Sequence, residues 1–64
     1  MYNDYAEILM LEDVCEVLRI GKNKAYEILH QNLLKGYREG RIWKVPRESI
    51  HEYIRSMQQR QLNM

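Results

Sequence analysis

The chain lacks most of what would hold a small protein together covalently or mark it as an enzyme. Cys15 is its single cysteine. No intramolecular disulfide can therefore form, and zinc sites of the Cys-x-x-Cys type are excluded. This usage fits a reducing, cytosolic compartment. The opening Met1-Tyr2-Asn3-Asp4-Tyr5 contains no basic segment followed by an apolar stretch and does not read as a signal peptide. The longest uninterrupted apolar run, residues 8 to 11, is four residues and cannot span a bilayer. His30 and His51 do not stand in a metal-ligand pattern, Cys15 has no evident base, the carboxylates form no paired arrangement, and no glycine-rich phosphate loop exists. No catalytic residue, cofactor, metal or membrane partner is expected.

What is present is enough for one small core. Sixty-four residues make a single domain, and a chain of this size buries only about 60% of the surface it exposes when unfolded, so its stability is marginal. The net charge of +1 conceals a split: residues 1–18 carry −5 with no lysine or arginine, and residues 19–64 carry +6 with all ten basic residues. A folded object with one acidic and one basic region can turn the basic region toward phosphate.

Hydrophobic spacing divides the chain into short elements. Residues 5 to 10 read as a short strand or extended lead-in. Leu11, Val14, Val17 and Leu18 then share one helical face, predicting a helix over 11–19 with Glu12 and Asp13 in its first turn, where carboxylates suit the helix dipole. Cys15 sits beside that stripe as a small hydrophobe. Gly21 interrupts the pattern, and a second helix is predicted over 22–30 with Ala25, Ile28 and Leu29 inward. Two short helices with a three- to four-residue gap have helix-turn-helix spacing, although a generic helical hairpin satisfies the same periodicity.

Residues 33–38, a turn at Glu39-Gly40, and residues 41–45 read as a two-stranded hairpin, Gly40 supplying a positive φ. Trp43 and Val45 share one face of the second strand, Ile42 and Lys44 the other. Alternation assigns Trp43 to packing rather than to stacking on single-stranded bases, with Tyr37 near it. Pro46 closes the strand and opens a third helix, whose stripe is Ile50, Tyr53, Ile54 and Met57. The expected core runs over 9–57, and the polar tail, 58–64, is expected to fray. The fold class is mainly α with a small β-hairpin in the position of a wing.

In this order the pieces resemble the short excisionase-like, MerR-like winged helix-turn-helix DNA-binding domains. The matching stretches are Leu9-Met10-Leu11-Glu12-Asp13-Val14-Cys15-Glu16-Val17-Leu18, then Arg19-Ile20-Gly21-Lys22-Asn23-Lys24-Ala25-Tyr26-Glu27-Ile28-Leu29, then Gly40-Arg41-Ile42-Trp43-Lys44-Val45-Pro46-Arg47-Glu48-Ser49-Ile50. The Arg-Ile-Gly-Lys-Asn-Lys segment is especially similar to excisionases of conjugative transposons in Gram-positive bacteria. Two departures stand out. Met10 occupies the position of a threonine helix cap, a change that typically costs about 1 kcal/mol, and Glu27 occupies a position where the family often has arginine.

The resemblance implies double-stranded DNA as partner, with the second helix in the major groove. Asn23 and Glu27 are the candidate base readers, and Lys22 and Lys24 the candidate phosphate or guanine ligands. Tyr26 suits either a phosphate hydrogen bond or half-buried packing. Arg38, Arg41 and Lys44 form a basic wing, Arg41 foremost, and Arg47 is a candidate phosphate contact. The implied role is architectural: several copies bind cooperatively, bend DNA and assist a tyrosine recombinase, in the bacterial cytoplasm and on the nucleoid. A small transcriptional regulator of the same fold, or a protein-interaction module that has lost DNA binding, satisfies the same sequence.

Overall fold

The computed structural model describes residues 7–62, with side chains through Arg60. Six elements follow one another: β1 (Ile8–Met10), α1 (Leu11–Leu18), α2 (Lys22–His30), β2 (Tyr37–Glu39), β3 (Ile42–Pro46) and α3 (Arg47–Leu62). Of the expected lead-in strand, residues 5 and 6 lie outside the described residues.

The wing is not a two-stranded hairpin standing alone. Its strands join β1 in one antiparallel sheet of order β1-β3-β2, with Leu9 opposite Val45 and Arg38 opposite Trp43. The third strand forms because Leu9 and Val45, both completely buried, are cross-strand neighbours on the inner face. The first hairpin strand is shorter than expected. Leu33 and Leu34 do not pair; Leu34 instead drops into the core and is fully buried. The turn also differs by one residue. Glu39 pairs with Ile42, so Gly40-Arg41 is the tip, with Gly40 at φ 65° as the first central residue of a two-residue loop. Gly36 is needed for closeness: a Cβ there would meet the Lys44 carbonyl oxygen at 3.0 Å and Leu29 Cδ2 at 3.1 Å.

Alternation from this register puts Ile8, Met10, Tyr37, Ile42 and Lys44 on the outer face, opposite Trp43 and Val45. Tyr37 therefore does not pack near Trp43; it is 48% exposed on the other side. The core is made by Leu9, Leu11, Val14, Ala25, Ile28, Leu29, Leu34, Val45 and Ile50, with Cys15, Trp43 and Tyr53 partly buried against it. Ile54 was expected in this core but is 39% exposed; α3 meets the sheet through its beginning, so its stripe loses its partner after Tyr53. The helix nonetheless continues to Leu62, past Gln58, through residues with good helix propensity.

The two helices of the motif stop in the same way. At the end of α1, Arg19 takes a left-handed conformation (φ 56°, ψ 50°), and the Ile20 N–H donates to the Cys15 carbonyl at 3.0 Å. At the end of α2, Asn32 is left-handed at φ 61°, and the Leu33 N–H donates to the Ile28 carbonyl at 3.0 Å. Both are Schellman-type closures. Asparagine tolerates this region, whereas arginine takes it at a cost. The glycine of the turn is elsewhere: Gly21 caps α2 in an extended conformation. Met10 gives α1 no side-chain cap. The Met10 N–H instead donates to Asp13 Oδ2 at 3.1 Å, which is the half of a capping box that does not need a hydroxyl. Pro46 is the last residue of β3, and the helix begins at Arg47, whose N–H donates to the Glu7 carbonyl at 2.8 Å.

The arrangement is a winged helix-turn-helix: mainly α, with a small antiparallel sheet. Two stability changes are expected. Arg19→Gly removes about 1–2 kcal/mol of left-handed strain and adds about 0.5–1 kcal/mol of chain entropy, so chemical denaturation should show a net gain of about 0.5–1 kcal/mol. Trp43→Ala should lose about 2–3 kcal/mol in the same measurement, below the fully buried range because the ring is only half-buried.

Candidate nucleic-acid interface

The buried face of α2 dictates what the opposite face presents. Ala25, Ile28 and Leu29 are in the core, so Lys22, Asn23, Tyr26, Glu27 and His30 form an exposed stripe at helical spacing, with Lys24 also exposed at its side. Lys24 Nζ lies 3.6 Å from Glu27 Oε2, both side chains about half exposed. The Glu27 carboxylate thus has a cation one turn away on the same helix. No acidic residue stands in the first turn of α2.

The wing's three cations have three different settings. Arg38, directly across from Trp43, places its guanidinium carbon 5.9 Å from the Trp43 ring centroid, within cation–π range. His30 meets the same ring edge-on at 5.8 Å between centroids and 88° between planes. The wing and the far end of α2 are therefore joined through one indole. Lys44 lies on the outer face and donates a short hydrogen bond to Glu39 Oε1, a diagonal cross-strand neighbour. Arg41 is exposed at the tip.

One cleft brings the recognition helix and the wing together. It has a volume of about 310 Å³ and is lined by Met10, Leu11, Glu12, Lys22, Tyr26, Arg41, Ile42 and Trp43. Of the nine candidate DNA-binding residues, it gathers Lys22, Tyr26 and Arg41. Asn23, Lys24 and Glu27 continue along the exposed face of α2. Arg38 is held over Trp43 and Lys44 against Glu39. Arg47 is not brought into this group: it begins α3 at the opposite end of β3 from the tip, roughly 15 Å away along a strand. Glu12 and Met10 on the cleft wall were not among the candidate DNA-binding residues read from sequence. Their positions identify the start of α1, and only the return of the wing over that start makes them part of a site. Among the described residues no group of three or more His, Cys, Asp or Glu is placed to hold a metal ion. None of the described helices is long and apolar enough to cross a membrane.

The Lys44–Glu39 pair has a definite pH behaviour. The Lys44 hydrogen bond, then its charge, holds the Glu39 carboxyl below the usual carboxylate range. The same contacts hold the Lys44 ammonium above the usual lysine range. The Glu39 contribution to folding is present above the ordinary carboxylate pKa and is lost as pH falls through the lowered value. The Lys44 contribution is present below the ordinary lysine pKa and is lost as pH rises through the raised value. Both hold at neutral pH. In an NMR titration the Glu39 carboxyl should have a midpoint below that of an ordinary glutamate, and Lys44→Met should return it to the ordinary value.

No curated protein and no solved structure matches the chain. A family model described as a helix-turn-helix domain matches residues 8–58, a span that takes in β1, both helices of the motif, the wing and most of α3. The chain belongs to the helix-turn-helix domain family, a DNA-binding module rather than an enzymatic fold.

Proposed function

We propose that the protein reads double-stranded DNA in a sequence-specific way and works as an excisionase-like architectural factor. The observation that carries the DNA reading is the convergence of the exposed stripe of α2 and the wing tip on one cleft. A helix in the major groove and a wing reaching the neighbouring backbone or minor groove need these two elements side by side. Asn23 and Glu27 are the base readers: an amide matches adenine, and a carboxylate accepts from cytosine N4. Lys22 and Lys24 contact phosphate or guanine, Tyr26 and Arg47 contact phosphate, and Arg38, Arg41 and Lys44 carry the wing's contact with backbone or minor groove, Arg41 foremost.

The finer role rests on the resemblance of the segment Arg19-Ile20-Gly21-Lys22-Asn23-Lys24 to excisionases of conjugative transposons. A 64-residue module with net charge +1 covers little DNA, since single modules bury roughly 600–1,000 Å². Affinity then comes from repeated sites, cooperative neighbours and a partner recombinase. A bound array that bends its DNA would allow a tyrosine recombinase to assemble. The same fold serves a small transcriptional regulator, and DNA bending with stimulation of a purified tyrosine recombinase separates the two roles.

Binding titrations over a range of salt, on a duplex selected by the protein from a random pool, test the reading. Asn23→Ala should lower affinity for the selected duplex about tenfold and leave binding to an unrelated duplex unchanged. Arg41→Ala should weaken both and reduce the salt slope by about 1. Equal affinity of the wild-type protein for selected and unrelated duplexes would remove sequence reading.

A further inference from the structure

The cleft between α2 and the wing has a mixed lining. Lys22, Tyr26 and Arg41 supply two cations and a phenol from two different elements, while Met10, Leu11, Ile42 and Trp43 supply apolar wall. Its volume of about 310 Å³ is more than a bare oxyanion requires. A charged group flanked by apolar surface matches both kinds of wall. In duplex DNA that combination is one phosphodiester with its adjoining deoxyribose rings, whose C–H edges face an apolar wall without leaving a hydroxyl unpaired. The opposing feature is Glu12. It lines the same cleft, is exposed, and stands in the first turn of α1, where its charge repels any phosphate seated beside Lys22 and Arg41.

We infer that this cleft seats a single DNA phosphodiester to which Lys22, Tyr26 and Arg41 all donate, and that Glu12 is a built-in attenuator of that contact. The inference rests on the DNA-binding reading and adds two things to it. The recognition helix and the wing are clamped to the same strand at the same phosphate, so Lys22 spends its charge on backbone and leaves base discrimination to Asn23 and Glu27. Affinity is held below what the cations alone would supply, which suits a module that works as one of several copies.

The test uses the full chain and a selected duplex carrying one neutral methylphosphonate, moved position by position along each strand. One position should weaken wild-type binding roughly tenfold, as for loss of charge-assisted hydrogen bonds. At that position the penalty should largely disappear in Lys22→Ala and in Arg41→Ala, and shrink in Tyr26→Phe. Glu12→Gln should tighten wild-type binding about threefold at low salt, and the gain should vanish on the duplex neutralised at that position. These positions are exposed, and circular dichroism of each variant confirms that it is folded. Separate positions coupled to Lys22 and to Arg41 would overturn the shared seat, and unchanged affinity in Glu12→Gln would overturn the attenuator. Inorganic phosphate should displace DNA no better than chloride of equal ionic strength; stronger displacement would make the cleft a free-anion site and overturn the DNA assignment. Failure of the wild-type protein to bind any duplex would remove the underlying reading itself, an outcome distinct from the loss of a shared position.

Discussion

The structure depends on where β3 sends its side chains. This five-residue strand is the centre of the sheet and also packs against α1 and α3. Val45 goes inward to meet Leu9 and the core, and Trp43 goes inward to meet His30 and Arg38. Ile42 and Lys44 go outward. Slipping the strand by one residue would exchange these sets, exposing Trp43 and Val45 and burying a lysine. A domain this small has few other contacts with which to absorb such an exchange. The paired burial of Leu9 and Val45 therefore holds both the sheet and the position of the wing relative to the recognition helix.

The electrostatics follow from that placement. A net charge of +1 suggests a weak ligand for DNA, but what matters is which cations remain available on one surface. Glu39 occupies Lys44, Glu27 stands beside Lys24, and the Trp43 ring holds Arg38. Lys22 and Arg41 share the cleft with Glu12. Opposed or paired charges of this kind contribute little to folding when exposed. Against a polyanion they lower nonspecific attraction.

Much of this was legible in the chain because it depends on local rules. The helix over 22–30 is found with those bounds as Lys22–His30, since Ala25, Ile28 and Leu29 have a period that only a helix can bury together. The alternation of Ile42, Trp43, Lys44 and Val45 sorted them correctly onto two faces. Cys15 packs against the core, as a free cysteine beside an apolar stripe does. The exposure of the candidate residues on α2 follows from the same period. Less legible were places where two local rules compete. Gly40 suits either central position of a hairpin turn, and the difference moved Glu39 into a strand and Arg41 to the tip. Gly21 interrupts the helical pattern and caps α2 in an extended conformation, while the left-handed position falls on Arg19, the residue that closes α1 onto the Cys15 carbonyl.

Sequence by itself determined the three helices, the hairpin and their order, and the inward faces of α1 and α2 and of β3, because each depends on neighbours within a few positions along the chain. Tertiary structure decided the rest. It made β1 part of the sheet, left Ile54 outside the core, separated Arg47 from the cleft, and placed Met10 and Glu12, at the junction of β1 and α1, in one cleft with the wing tip. Those outcomes depend on how elements distant in sequence share one small interior. A periodicity specifies which face of an element is buried; what lies across from that face is settled only when the whole chain has packed.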